Sequence, residues 1–216
     1  MTEVLVKAIL AYLLGSIVGG LVVGRLRGGV DIRRLGSGNA GGTNALRTQG
    51  KAFAFWVMVI DIGKGWLATR VVARLVVPGL FSGVDVDWLA AVCGIAVIVG
   101  HVYPVWYGFR GGKGVATLLG AVLGLDPLLL VPMLITWLVA VILFGFVGLA
   151  SILGALALAV AAAVRTSGPQ SALLGFGVFA AALIACTHRA NIARMLGGTE
   201  PRARRLWLFG LRRGGA

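Results

Sequence analysis

The sequence predicts an all-α, polytopic membrane protein with seven transmembrane helices and polar, glycine-rich cytoplasmic loops. Three observations predict this class. Of the 216 residues, 59% are hydrophobic and only 12% are charged. The mean hydropathy is +0.97, which excludes an ordinary soluble domain. The apolar residues also lie in long runs, as a chain that crosses a bilayer requires.

Seven apolar runs are candidate spans, because a bilayer core of about 30 Å needs roughly 20 helical residues. They are residues 4–24, 53–77, 88–105, 115–125, 128–146, 148–164 and 171–187. The fourth run is too short to span comfortably alone. A six-span protein with a re-entrant fourth segment is therefore the alternative.

The basic residues decide between these arrangements. Lys and Arg number 20 against 7 Asp and Glu, and the positive-inside rule places the basic clusters on the cytoplasmic face. The clusters are Arg25, Arg27, Arg33, Arg34, Arg47 and Lys51; Arg110 and Lys113; and the arginines between residues 189 and 213. Two clusters on the same side of a membrane must be separated by an even number of spans. Four short spans between the second and third clusters meet this condition, whereas three do not. We therefore expect one membrane-integral domain, residues 1–216, with the amino terminus outside and residues 201–216 as a basic cytoplasmic tail.

The net charge of +13 is compatible with nucleic acid or with anionic lipids and phosphorylated substrates as partners. The membrane setting favours the second class, so no nucleic-acid partner is expected. Cys93 and Cys186 lie inside apolar runs, and we interpret them as core residues rather than metal ligands or disulfide partners. The tail sequence "RRLWLFGLRR" is typical of an amphipathic segment at a membrane surface; a solvated basic tail is the alternative.

The first polar cluster is the loop "GSGNAGGTNALR", residues 36–47. Its glycines allow tight turns in which successive N–H groups point at one anion. Arg47 can hold a phosphate with a bidentate guanidinium. The side-chain donors of the loop are Ser37, Asn39, Thr43 and Asn44. An ordinary flexible connection is the alternative interpretation.

The second cluster, "DIGKG", places Asp61 and Lys64 on one face of the second span. A charge at the centre of a bilayer costs on the order of 2.5 to 3.5 kcal/mol, so two charges there suggest a functional site. A structural ion pair near the membrane interface is the alternative.

The third cluster, "GHVYPVWYGFRGGKGVAT", begins near His101 and presents Arg110, Gly112 and Lys113 just before the short fourth run. This order resembles a phosphate site at a helix amino terminus, where the dipole and the N–H groups both favour an anion. The spacing is not that of a Walker A loop, so nucleotide hydrolysis is not indicated.

The fourth cluster, "HRANIARMLGGTE", follows the last span and contains His188, Asn191, Arg194 and Glu200. The chain has only two histidines, and both stand at span ends beside basic residues, where a general base or an anion ligand is possible. A hydrogen-bonding role at the membrane interface is the alternative for each.

The first, third and fourth clusters, with "GSIVGG" in the first span, resemble the bacterial acylphosphate:glycerol-3-phosphate acyltransferase family. The resemblance runs from the first span to about Glu200. Val18 stands where the family usually has proline after "GSI", which leaves open whether the first span is kinked. Ala40 replaces a bulkier residue or proline and Arg110 replaces lysine, and neither change alters the expected phosphate chemistry.

The resemblance implies transfer of a fatty acyl group from acyl phosphate to the sn-1 hydroxyl of glycerol 3-phosphate. The products would be lysophosphatidic acid and phosphate, the first committed step of phospholipid synthesis. The family uses neither acyl-CoA nor acyl carrier protein as donor and needs no metal or cofactor. We therefore expect a multi-pass protein of the bacterial inner membrane. The resemblance leaves open whether the enzyme that makes acyl phosphate delivers it by direct contact.

An acyl phosphate is already activated, so the protein needs mainly to position the hydroxyl and stabilise the phosphate and the oxyanion. The catalytic candidates are His101, Ser37 and Asn191. The phosphate-binding candidates are Gly38, Asn39, Gly41, Gly42, Thr43, Asn44, Arg47, Lys64, Gly112, Lys113, His188 and Glu200. We assign the donor phosphate to Ser37, Gly41, Gly42 and Thr43, and glycerol phosphate to Arg47, Lys113, His188 and Asn191.

Two further points stay open in the sequence. His101 is a candidate general base, but the donor phosphate can itself accept the proton. A lipid or anion transporter and a polyprenyl-phosphate transferase are the competing classes. Neither is favoured, because we find no internal repeat and because the close aspartate pair, Asp85 and Asp87, lies in a short outside loop.

Overall fold

The computed structural model describes residues 1–76, 79, 83–166, 171–203 and 206–208. Within these residues every regular element is a helix. The α-helices are α1 Thr2–Gly15, α2 Gly19–Leu26, α3 Gly42–Gln49, α4 Lys51–Arg70, α5 Val86–Val102, α6 Val115–Leu125, α7 Leu130–Phe144, α8 Val147–Arg165, α9 Ala172–Thr187 and α10 Arg189–Leu196. The all-helical class predicted from the sequence is confirmed.

Four helical stretches are long and apolar enough to cross a membrane: Lys51–Arg74, Val86–Tyr107, Pro127–Phe144 and Val147–Arg165. Two bent pairs, α1 with α2 and α9 with α10, raise the number to six among the described residues if each pair is one span. The short fourth candidate is α6, which has 11 residues and is therefore about 16 Å long. The count of seven spans stays a prediction.

The chain forms two compact units, Met1–Pro127 and Leu128–Ala216. The first contains α1 to α6, and its tightest packing is between α4 and α6. Small residues allow the close approach: a Cβ on Gly65 would overlap the Thr117 carbonyl, and one on Gly120 would overlap the Ile62 carbonyl. This is the packing typical of membrane helices. The single domain, residues 1–216, stays a prediction.

The second unit is built on α7 and α8, with α8 packed on α9. The start of the carboxyl-terminal tail lies against the α7–α8 turn, where the Ala203 N–H donates to the Gly145 carbonyl over 2.8 Å. The Arg202 guanidinium lies over the Trp207 ring, 4.1 Å from its centroid. Trp207 Nε1 donates to the Leu143 carbonyl over 3.2 Å. The described part of the tail therefore packs on protein; residues 204, 205 and 209–216 lie outside the described residues.

The first span is kinked although Val18 replaces the expected proline. The axes of α1 and α2 differ by 45°, and Val18 has an extended backbone at the break. A break without proline leaves backbone groups unpaired unless side chains satisfy them. Lys64 Nζ donates to the Gly15 and Ile17 carbonyls over 2.9 and 2.8 Å. The kink is thus stabilised by α4 rather than by the local sequence.

Candidate active site

The first glycine-rich loop is organised by the buried side chain of Asn44. Its Nδ2 lies 2.9 to 3.0 Å from the carbonyls of Ile32, Leu35 and Asn39, and its Oδ1 accepts the Ser37 N–H over 2.9 Å. A side chain with all these contacts holds the loop rather than a ligand. Asn44 therefore explains how a run rich in glycine keeps one shape.

The donors that this loop leaves for a ligand lie at the start of α3. The Gly41 N–H donates to Asn39 Oδ1 over 2.8 Å, whereas the amides of Gly42 and Thr43 belong to the first helical turn, where no intrahelical partner exists. Ser37 and Arg47 are both exposed. Two amides and a hydroxyl are thus available around the amino terminus of α3, which favours an anion. Arg47 lies further along, in the last turn of α3.

The "DIGKG" motif of α4 forms a buried network with His101 of α5. Lys64 Nζ lies 2.9 Å from Asp61 Oδ1 and 2.8 Å from His101 Nδ1. Asp61 Oδ1 also accepts the Gly19 N–H over 3.0 Å, at the break between α1 and α2. None of the three side chains is more than 3% exposed. The network joins two helices to the break, as the structural alternative for this pair anticipates.

His101 faces the second glycine-rich loop with its other ring nitrogen. Its Nδ1 lies 2.8 Å from Lys64 Nζ and 3.3 Å from Asp61 Oδ1, so this nitrogen belongs to the buried network. A Cβ on Gly112 would overlap Nε2, so the loop passes directly over the ring. The Gly112 N–H donates to the His101 carbonyl and the Gly111 N–H to the Val102 carbonyl, each over 3.1 Å. The loop is therefore folded back on the end of α5.

The second loop also leads into a helix amino terminus. Lys113 is half-buried, and Gly114, with a φ of +90°, precedes the first residue of α6. This left-handed backbone favours glycine. In the first unit, each of the two glycine-rich loops thus ends at a helix start. Lys113 lies just before α6, and Arg47 lies in the last turn of α3.

The fourth cluster occupies the bend between α9 and α10 in the second unit. His188 Nδ1 donates to the Ile184 carbonyl over 2.8 Å, which fixes its proton on Nδ1. Glu200 bridges two side chains: it accepts from Asn191 Nδ2 over 2.6 Å and from Arg194 Nε over 2.7 Å. His188, Asn191 and Glu200 are all buried. Glu200 therefore fixes the direction of the Asn191 side chain.

Comparison with known proteins decides the family. The model of the family described as "Glycerol-3-phosphate acyltransferase" matches residues 5–198. The chain belongs to the glycerol-3-phosphate acyltransferase family. It is therefore an acyltransferase and an integral, multi-pass membrane protein of that family, as the resemblance of its motifs predicted.

Named relatives of the glycerol-3-phosphate acyltransferase family support this assignment. The chain is 40% identical over 193 residues to the enzyme of Synechococcus sp. (strain CC9902), covering 89% of this chain and 92% of the relative. It is 41% identical over 198 residues to the enzyme of Bordetella pertussis (strain Tohama I), covering 90% and 89% of the two chains. The agreement extends along nearly the whole length of each protein.

Two solved structures resemble the fold closely. Both are PlsY (YgiH), an integral membrane glycerol 3-phosphate acyltransferase. The glycerol 3-phosphate form has a TM-score of 0.81 and 37% identity, and the lysophosphatidic acid form has a TM-score of 0.79 and 36% identity. Each match covers 92% of this chain and 94% of the other. The fold is thus that of a glycerol-3-phosphate acyltransferase.

The sequence did not identify Asp31 and Arg33 as site residues, although both lie beside the first loop. Arg33 was counted only among the charges that set membrane orientation. In the structure its guanidinium joins the Asp31 carboxylate to the carbonyls of Tyr107 and Arg110. The spacing of the "DIR" sequence was a local signal for the ion pair, but nothing local pointed to the second loop.

Proposed function

We propose that the protein transfers a fatty acyl group from acyl phosphate to the sn-1 hydroxyl of glycerol 3-phosphate. The products are lysophosphatidic acid and inorganic phosphate, and the reaction begins phospholipid synthesis in the bacterial inner membrane. The names of the relatives and the two ligand forms of PlsY support the acceptor and the product. The donor is inferred from the family resemblance and from the two loops.

The observation that carries the proposal is the pair of glycine-rich loops in the first unit, each ending at a helix amino terminus. Two phosphorylated substrates need two anion sites. We assign the donor phosphate to the Ser37 hydroxyl and the amides of Gly42 and Thr43, in a loop shaped by Gly38, Asn39, Gly41 and Asn44. We assign the phosphate of glycerol 3-phosphate to Arg47 and Lys113, with Gly112 setting the close approach of the second loop.

The polar side chains of the fourth cluster lie in the second unit. We propose that His188 and Asn191 bind glycerol 3-phosphate, because both belong to the bend that also carries Glu200. Asn191 donates from Nδ2 to Glu200, so the carboxylate fixes the direction of the amide that we assign to the substrate. In this proposal Glu200 and Lys64 act by holding other groups rather than by binding phosphate themselves.

The reaction is an acyl transfer from a mixed anhydride. The sn-1 oxygen attacks the acyl carbonyl carbon, and the carbonyl electrons move to oxygen to give a tetrahedral oxyanion. The carbon–oxygen bond to phosphate then breaks as the carbonyl re-forms. Positioned N–H groups stabilise the oxyanion, a contribution that typically changes kcat by about 10²- to 10³-fold. A covalent acyl-enzyme is not required.

The hydroxyl proton goes to the donor phosphate in the route we favour. His101, the alternative base, is 2% exposed, with Nδ1 against Lys64 and Nε2 against Gly112. A general base must come within about 3 Å of the proton that it removes. The donor phosphate is bonded to the reacting acyl group, so its oxygens lie near the attacking hydroxyl in any productive complex.

The cytoplasmic side is proposed for both loops and the carboxyl terminus, with the amino terminus outside, because the basic clusters lie there by the positive-inside rule. The apolar helices hold the acyl chain among membrane lipids. We also propose that the enzyme that makes acyl phosphate delivers it by direct contact. An assay with added acyl phosphate does not need this partner enzyme.

The first experiment measures acyl transfer by the purified protein in lipid, with labelled glycerol 3-phosphate and palmitoyl phosphate. Parallel reactions contain acyl-CoA or acyl carrier protein as donor, and all are run without added metal. We expect lysophosphatidic acid from acyl phosphate alone. Product from a different donor would contradict the proposed donor, and no product from folded protein would favour the transporter class.

A second experiment identifies the proton acceptor with the variant His101→Gln, which cannot titrate but retains a polar side chain. If His101 were the base, kcat would fall by about 10²- to 10⁴-fold. We expect a fall of less than about tenfold, because in the substrate-assisted route His101 supports Gly112 and the buried network but takes no proton. The pH dependence of kcat should keep its shape, and a lost acidic limb would restore His101 as the base.

A further inference from the structure

We propose that Arg33 is a positioning residue that couples the two glycine-rich loops of the active site. Its guanidinium is fixed by Asp31 beside the first loop and holds the backbone of the second loop at Tyr107 and Arg110. The proposal rests on the proposed function for its kinetic consequence. The coupling itself is a physical property of the first unit and is testable without substrate.

The Asp31 carboxylate occupies the edge of the guanidinium that carries Nε and Nη2. Arg33 Nε lies 2.9 Å from Asp31 Oδ1, and Nη2 lies 2.8 Å from Oδ2. The same carboxylate also accepts the Arg33 N–H over 3.0 Å, as the cap of the short 3₁₀ turn Ile32–Arg34. A planar, bidentate pair of this kind fixes the direction of the remaining donors.

The remaining donor reaches the second loop. Arg33 Nη1 donates to the Arg110 carbonyl over 2.8 Å and to the Tyr107 carbonyl over 3.2 Å. These groups are 77 and 74 residues away along the chain. Arg33 is only partly exposed, with 27% of its side-chain surface accessible. The contact is therefore a specific long-range bridge rather than a freely rotating surface charge.

The two carbonyls flank the one strained non-glycine residue of the described chain. Phe109 has a φ of +59°, a left-handed backbone that is unfavourable for a bulky residue and persists only when its surroundings impose it. The Phe109 N–H donates to the Pro104 carbonyl over 2.9 Å. Arg33 holds the chain two residues before this position, at Tyr107, and one residue after it, at Arg110. The guanidinium thus supplies a restraint that the loop sequence itself does not.

The restrained segment runs directly into Gly111, Gly112 and Lys113. Loss of the bridge should let this segment move relative to the first loop, which carries Ser37 and precedes Arg47. In the proposed function that movement displaces one substrate phosphate from the other. Arg33 touches neither substrate in this account, and it acts through the backbone that carries Lys113.

The test compares Arg33→Gln with Arg34→Gln as a matched control. Arg34 is exposed in the same 3₁₀ turn, so its loss removes the same charge without removing a contact to the second loop. We expect KM for glycerol 3-phosphate to rise roughly 10- to 100-fold in Arg33→Gln, the scale of a displacement of about 1 Å. KM for acyl phosphate should change much less, and Arg34→Gln should match wild type.

Arg33→Lys separates positioning from charge. A lysine ammonium is a point charge and cannot join a carboxylate to two carbonyls with fixed geometry. We therefore expect Arg33→Lys to resemble Arg33→Gln, and full rescue by lysine would overturn the proposal. Arg33→Lys also provides the decisive comparison if Arg33→Gln fails to fold, as judged by thermal unfolding in detergent.

Hydrogen–deuterium exchange gives the readout that is independent of catalysis. The amides of Phe109, Gly111 and Gly112 donate within the folded-back loop, and they should exchange faster in the Arg33 variants but not in Arg34→Gln. Unchanged exchange of these amides in the Arg33 variants would show that Arg33 does not restrain the second loop. Faster exchange with an unchanged KM for glycerol 3-phosphate would show that the restraint does not position the substrate. If the wild type lacks acyl transfer, the proposed function fails separately, and glycerol 3-phosphate binding replaces KM.

Discussion

The buried polar network of α4 and α5 and the exposed polar groups of the first glycine-rich loop contain similar side chains with opposite surroundings. Asp61, Lys64 and His101 contact one another and the broken backbone after α1. Ser37 and Arg47 lie at the surface, Ser37 in the loop before α3 and Arg47 in the last turn of α3. In the first region the polar groups contact other groups of the protein, whereas in the second they face the surface, where a ligand can reach them.

Polar residues in a membrane protein therefore differ in where their hydrogen-bond and charge partners come from: other groups of the protein, or solvent and ligands. A buried charge must be paired, because its desolvation is not otherwise offset. Lys64 is satisfied by backbone carbonyls of the kink and by Asp61, so it needs no phosphate. An exposed cation such as Arg47 is solvated by water in the free protein and can exchange that water for an anion. Removal of a residue from each region therefore has different consequences.

The largest effect should follow from Asp61→Ala. The change leaves the Lys64 ammonium and the Gly19 N–H buried without their carboxylate partner, and we expect unfolding to become easier by about 3–5 kcal/mol. Unfolding in detergent by denaturant titration measures the loss. Asp85→Ala is the control, because Asp85 is an exposed cap of α5 and should cost only about 1 kcal/mol. Equal losses in the two variants would contradict a buried structural network.

Arg47→Ala should give the reverse result. We expect kcat/KM to fall at least about 100-fold, on the scale of losing a charge-stabilising group. The free energy of unfolding should change by no more than about 0.5 kcal/mol, as for ordinary surface positions. Lys51→Ala removes another exposed cation, at the start of α4, and should leave both quantities near wild type. A large loss of stability in Arg47→Ala would show that Arg47 supports the fold.

The sequence located the polar groups of the exposed loop, but it did not predict the hydrogen bonds that connect the buried polar groups. Apolar runs and glycine-rich loops are local patterns, so the short helix α6 and the loop donors could be located directly. The kink at Val18 could not, since the groups that satisfy it come from α4. Arg33 was missed for the same reason, because its partners at Tyr107 and Arg110 are distant in sequence. Long-range hydrogen bonds leave no periodic signal.

Glu200→Gln tests whether the second unit behaves like the buried or the exposed region. The variant keeps one acceptor for either Asn191 or Arg194 but loses the charge that both contact. We expect a destabilisation of about 1–2 kcal/mol, the cost of weakening a charged hydrogen-bond pair. Activity should fall by more than stability alone explains, because Asn191 loses its fixed direction. Unaltered activity would place Asn191 outside the substrate site.

The smallest effect concerns the pH dependence of the Asp31–Arg33 pair. The Arg33 guanidinium, by hydrogen bond and charge, holds the pKa of the Asp31 carboxyl below its ordinary value, so the pair stabilises the fold at every pH above that ordinary value. The stabilisation should be lost only as the pH falls through the lowered pKa of the folded state. Because the pair is partly exposed, we expect at most about 1 kcal/mol between wild type and Asp31→Asn. The difference in melting temperature should be constant from about pH 8 to pH 5 and should shrink below about pH 4, near the ordinary value for aspartate. A difference that disappears between pH 7 and pH 5 would assign the stabilisation to another titrating group, and Arg33 would then hold the second loop without depending on the charge of Asp31.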